Sequence, residues 1–201
     1  MKRDKLTISA GAILLAAGIY YVCDPALIAA ALLPIAAHEL SHIAALQALG
    51  LRVIGFRAEL KGFCIDYGGC TGAVGHALAA AAGPMGGLWY AWAASWAGNR
   101  LDSSWLCLSA GISLLLSAFN LLPALPLDGG RILAHLSRAL LGDKRGALLT
   151  EVVGVTVGAV LLAAGVLLML RGRGIALTLA AIWLLLYQED KLGIVKEMEM
   201  M

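Results

Sequence analysis

Five consecutive residues, His38-Glu39-Leu40-Ser41-His42, carry the densest chemistry in the chain. On a helix, positions i and i+4 share a face, so both imidazoles can reach one metal ion. Two histidines at this spacing suit Zn²⁺, whose nitrogen ligands lie at about 2.0–2.1 Å. Glu39 is rotated by about 100° from His38. It stands at the edge of such a site, able to take a proton from an attacking water instead of ligating the ion. The plain alternative is a pair of core histidines and a stray carboxylate. The surrounding sequence argues against it. Residues 26–49 are otherwise apolar enough to span a membrane. An ionisable residue in such a span costs about 2.5–3.5 kcal/mol. Three within five positions need a shared purpose.

A catalytic zinc takes three protein ligands, so one more is wanted. His76 opens a later apolar stretch and reads as an interfacial residue. His135, four residues after Arg131, reads as a solvated residue of a polar helix. Asp128 is the stronger candidate, in the run Asn120-Leu121-Leu122-Pro123-Ala124-Leu125-Pro126-Leu127-Asp128-Gly129-Gly130-Arg131. The prolines break a helix and the glycines let the backbone turn sharply. A carboxylate held in that break can point back into a bundle. It can equally be the N-cap of the helix that follows, and the residues alone leave the two readings level. Ser109, Ser113 and Ser117 recur every four residues towards Asn120. They line either a wet path or, more commonly, a helix-packing seam.

The composition defines the solvent. Of 201 residues, 61% are hydrophobic and 14% charged, against about half and about a quarter in a soluble domain. An integral membrane protein is expected, folded as a single domain over 1–201. The net charge of +2 comes without a basic run, which excludes a nucleic-acid partner. Cys23, Cys64, Cys70 and Cys107 contain no CxxC pair, so neither a disulfide scaffold nor a cysteine zinc site is expected.

The expected fold is an all-α polytopic bundle of about six transmembrane helices, at 6–22, 26–49, 76–98, 104–123, 152–170 and 174–188. Lys2, Arg3 and Lys5 before the first span resemble a signal peptide, but the bulky Tyr20-Tyr21-Val22 offers no cleavage site, so an uncleaved helix is expected. Residues 123–151 are polar enough to lie mostly outside the bilayer. Between the second and third spans, 51–57 and 62–67 are β-prone and predict a small hairpin turning near Leu60-Lys61-Gly62. Gly154 and Gly158 form a small-xxx-small pair suited to helix packing. With both termini cytoplasmic, 12 of the 15 Lys and Arg residues lie inside; Arg100, Arg171 and Arg173 lie outside. Tyr20, Tyr21, Trp96 and Trp105 then sit at the outer interface as anchors.

The His38–His42 motif and the Asn120–Arg131 run together resemble the site-2 protease family, peptidase family M50, of intramembrane zinc metalloproteases, and in particular its short bacterial sporulation-protease-like branch. That family is similar in joining HExxH on one membrane helix to N-x-x-P-x-x-P-L-D-G-G-R at the end of another. The resemblance implies that His38, His42 and Asp128 bind one Zn²⁺, that Glu39 is the catalytic base and that Asn120 lies near the substrate. It implies a transmembrane protein as substrate, cut nearer the cytoplasm, and a hairpin beside the active-site helix that holds the unwound substrate as an added strand. Gly83-Pro84 resembles the family's G-P-x-x-N element, but Gly87 stands where asparagine is usual. Neither a PDZ nor a CBS domain is expected, which leaves room for a regulatory membrane protein as partner.

Two other functions fit an intramembrane metal site: a metal-ion transporter, in which Glu39 is a ligand or relay, and an inactive homologue that only binds membrane helices. The intact Glu39 favours the protease. The charge asymmetry predicts that single cysteines placed within 50–75 are labelled from the cytoplasmic side by an impermeant thiol reagent. Labelling from outside would invert the topology and the side of cleavage.

Overall fold

The computed structural model describes residues 6–9, 20–21, 23–59, 62–69 and 71–199. The chain folds as two compact units, Met1–Phe119 and Asn120–Met201. Among the described residues are six helices: α1 (Pro25–Ala48), α2 (Ala73–Arg100), α3 (Ser104–Asn120), α4 (Asp128–Leu141), α5 (Asp143–Met169) and α6 (Ile175–Glu199). They also include a three-stranded sheet of β1 (Leu6–Ile8), β2 (Arg52–Glu59) and β3 (Gly62–Gly68).

In the first unit, α1 begins where Asp24 caps it, its carboxylate accepting from Ala26 N at 2.7 Å with Pro25 at the first helical position. Pro34 sits buried inside the helix. Proline has no N–H, so the Ala30 carbonyl four residues earlier loses its helical donor. Ser109 Oγ of α3 replaces it, donating to Ala30 O at 2.8 Å. Ser113 Oγ donates to Gly87 O of α2 at 2.7 Å. Ser109, Ser113 and Ser117 are all fully buried. The serine stripe is therefore a packing and carbonyl-satisfying seam, not a wet path.

The predicted hairpin is present. β2 and β3 pair antiparallel, with Phe56 opposite Ile65 and Arg57 opposite Cys64. The turn residues Leu60 and Lys61 lie outside the described residues. The sheet packs on the end of α1 and the start of α2 through Leu46, Leu51 and Ala79, flanked by Val53 and Ile65.

The all-α expectation needs correction. Leu6–Ile8, taken as the start of a first span at 6–22, is a strand paired parallel to β2, with Leu6 opposite Phe56. β2 is thus the central strand. The physical reason is non-local: β2 offers a ladder edge, and β-branched Thr7 and Ile8 suit it. Residues 10–19 and 22 of that span lie outside the described residues. Among the described helices, α1 and α5 are long and apolar enough to cross a membrane. α3 and the 175–188 part of α6 are apolar but shorter. α2 spans 28 residues, many of them Ala and Gly.

In the second unit, α4 and α5 meet at Gly146, where a Cβ would overlap the backbone of Ser137 and Arg138. Ser137 Oγ and Thr150 Oγ1 both donate to the Gly146 carbonyl, at 3.0 and 2.9 Å. Gly154, Gly158 and Gly165 of α5 abut Gln188, Leu185 and Thr178 of α6. The small-xxx-small pair therefore packs helices, as expected.

Ser109→Ala strips the Ala30 carbonyl of its replacement donor and leaves the Tyr90 hydroxyl, 2.8 Å away, without this partner. A loss of about 1–3 kcal/mol is expected on thermal unfolding in detergent. Ser113→Ala should lose less, because the Gly87 carbonyl keeps its helical position. Equal losses would show that Pro34 does not single out Ser109.

Candidate metal centre

His38 and His42 stand one turn apart on α1, and both are buried. Their Nε2 atoms lie 3.2 Å apart. Two nitrogens held tetrahedrally at 2.0–2.1 Å from one ion lie about 3.3 Å apart, so the pair has the spacing of two ligands on a shared metal. The His42 ring is oriented from behind. Its Nδ1 hydrogen bonds to Ala79 O of α2 at 2.8 Å, donating the N–H. That fixes the tautomer and presents the Nε2 lone pair forward, as in many metal sites.

α2 is shaped to receive this ring. A Cβ at Gly83 would overlap the His42 imidazole, and one at Gly86 would overlap the Ser41 hydroxyl. Ser41 Oγ meanwhile donates to Ala37 O at 2.7 Å within α1. Sequence reasoning missed Ala79, Gly83 and Gly86 as the seat of the histidine. The available signal was the cluster Gly83-Pro84-Met85-Gly86-Gly87, small residues that let two helices approach closely. Gly87, where the resembling family has asparagine, also has a local cause. A Cβ there would overlap Ser117 Oγ. Ser117 fills the space, and its buried hydroxyl has no hydrogen-bond partner among the described residues.

Asp128 is 4% exposed and opens α4. The N-cap of that helix is Leu127, with no side-chain capping bond. Asp128 is thus the first residue inside the helix, and the capping alternative falls. Its carboxylate lies 3.7 Å from Arg131 Nη1, one turn on. The turn before it folds back on the glycines: a Cβ at Gly129 would overlap the Leu121 and Leu122 carbonyls, and one at Gly130 the Ala124 and Leu125 backbone. The sequence signal of a sharp turn was correct, with close packing of backbone on backbone as its reason.

His38 and His42 in the first unit and Asp128 in the second are each buried, and each carries an atom type that ligates metals. Two imidazoles and a carboxylate are a fitting donor set for zinc. Glu39 is half-buried beside His38, and Asn120 is half-buried at the end of α3. His76 faces Tyr67 of β3, with Nδ1 3.2 Å from the phenol oxygen. His135 lies partly buried on α4. Neither belongs to the group of candidate ligands.

A buried histidine pair at ligand spacing on one helix makes the chain a candidate metalloprotein. Residues 75–165 match Peptidase family M50. That segment includes Asp128 and begins after the histidine pair. The fold is that of the Site-2 Protease from Methanocaldococcus jannaschii, at TM-score 0.66 and 22% identity, covering 94% of this chain and 92% of that one. No curated protein matches the sequence. The chain is thus similar to Peptidase family M50 over that segment and shares its fold with a site-2 protease.

Gly83→Ala should push the His42 ring off its seat and weaken zinc binding about 10–100-fold, the usual effect of disturbing a ligand's support. Competition against a chromophoric chelator reads this directly. Unchanged affinity would mean that the ring does not hold the metal in this pose.

Proposed function

We propose that the protein is a zinc-dependent intramembrane endopeptidase of the site-2 protease type, cutting transmembrane protein substrates near the cytoplasmic side of a cell membrane. The observation that carries this reading is the 3.2 Å approach of the His38 and His42 Nε2 atoms, and the buried Asp128 is the proposed third ligand. A membrane setting is supported by the two long apolar helices and by large apolar side chains facing outward, Trp89, Trp92, Leu115 and Val160 among them. A multi-pass topology with both termini cytoplasmic remains the proposal, with its first span beginning after β1. Within the family, the complete Asn120–Arg131 run supports a place near the sporulation-protease-like branch.

When bound, the zinc supplies a Lewis acid that polarises the scissile carbonyl and acidifies water. His38, His42 and Asp128 hold it, and the Ala79 carbonyl keeps His42 in the ligating tautomer. Glu39 takes the proton of the attacking water and hands it to the departing amide nitrogen. Asn120 contacts the substrate. A transmembrane helix has its amides bonded internally, so the substrate must unwind before it is cut. With β2 central in the sheet, an added substrate strand pairs with an outer strand. A regulatory membrane protein gates access.

Zinc content and cleavage separate the roles. Wild type should hold one zinc per chain and Asp128→Ala should lose it. Glu39→Gln should keep its zinc and cut a transmembrane peptide that the wild type cuts about 10²–10⁴-fold more slowly. A Glu39→Gln variant that cleaves normally refutes the assigned base. Zinc flux into proteoliposomes without cleavage would favour a transporter.

A further inference from the structure

We propose that Gln188, on the last helix, is a positioning residue for Asp128, acting through its hydrogen bond to the Leu125 carbonyl. The inference rests on the metal-centre reading above. Gln188 is 5% exposed. A primary amide buried among Leu and Ala side chains is unfavourable without a polar partner. Its Nε2 donates to Leu125 O at 3.1 Å, across 63 residues of sequence.

The acceptor sits at a sensitive place. Leu125 belongs to the turn between α3 and α4, three residues before Asp128. Pro123 and Pro126 deprive this turn of two backbone donors. Its backbone rests directly on the first turn of α4, with the Ala124–Leu125 peptide against Gly130 and the Leu121 and Leu122 carbonyls against Gly129. No side chain cushions that contact, so a shift of Leu125 is passed to the helix start that carries Asp128. The donor also has a close neighbour: at Gly154 of α5, a Cβ would overlap Gln188 Nε2, so a side chain there displaces the amide from its place. Gly154, Gln188, Leu125 and Gly130 thus form one contiguous series of contacts ending at the candidate ligand.

The test is zinc affinity of the full-length protein in detergent, by chelator competition, alongside thermal unfolding. Gln188→Leu keeps the bulk and removes the donor. Gly154→Ala keeps the amide and displaces it. Each should weaken zinc binding about tenfold or more, in the range for lost ligand support. The double variant should bind no worse than the weaker single, because both act on one bond. Gly158→Ala is the control. It disturbs the same helix pair at Leu185, one turn away, and should lower the melting temperature with zinc affinity held within about twofold. If Gln188→Leu and Gly154→Ala lower the melting temperature but leave zinc affinity at the wild-type value, Gln188 is packing only and the inference is overturned. Multiplying losses in the double variant overturn the shared route. A folded wild type that binds no zinc brings down the metal centre itself, and this inference with it. Wild type binding zinc and Gln188→Leu binding it equally well brings down the inference alone.

Discussion

The hydrogen bond from His42 Nδ1 to the Ala79 carbonyl joins α1 to α2 at 2.8 Å and decides which nitrogen of His42 is available. Much of the first unit follows from the close approach it demands. α2 must come near enough for its backbone to serve as acceptor, so Gly83 and Gly86 carry no side chain where the His42 ring and the Ser41 hydroxyl lie. A larger residue at either position would separate the helices and let the ring turn. With the tautomer fixed, the two Nε2 atoms meet at ligand spacing, and the chemistry of the site becomes a property of helix packing.

A related constraint acts elsewhere in the unit. Polar groups buried among apolar side chains need partners, and the helix prolines create unusual ones. Pro34 frees the Ala30 carbonyl, and Ser109 reaches it from α3. Ser113 donates to the Gly87 carbonyl one turn along, without a proline to free it. These bonds tie α3 to α1 and α2 without charge, in a bundle whose outward faces are apolar. The helices of the first unit are thus joined by hydroxyl-to-carbonyl contacts that are short, neutral and internal.

The second unit meets its constraint with glycine. Gly129 and Gly130 let the proline-rich turn lie on the first turn of α4, and Gly146, Gly154, Gly158 and Gly165 let α5 take its neighbours closely. Gln188 of α6 in turn donates to the Leu125 carbonyl of that turn. A carboxylate at the start of a helix also benefits from the positive end of the helix dipole. Burial and placement together suit it to hold a cation.

The sequence by itself determined the local features. His38 and His42 had to share a face because the helical repeat puts i and i+4 together. The helix had to stop before Asp128 because Pro123 and Pro126 cannot continue it. The hairpin at 52–68 was legible from its β-prone runs. Tertiary structure alone decided what depends on partners distant in the chain. Leu6–Ile8 became a strand because β2 offered an edge, something no hydropathy window contains. Asp128 proved to be inside its helix, not its cap, because the Leu127 backbone took the capping position. Gly87 is glycine because Ser117 occupies its side-chain space, and His76 turned to Tyr67 instead of the histidine pair. Periodicity encodes which face a residue is on. What waits across from that face is set only when the elements pack.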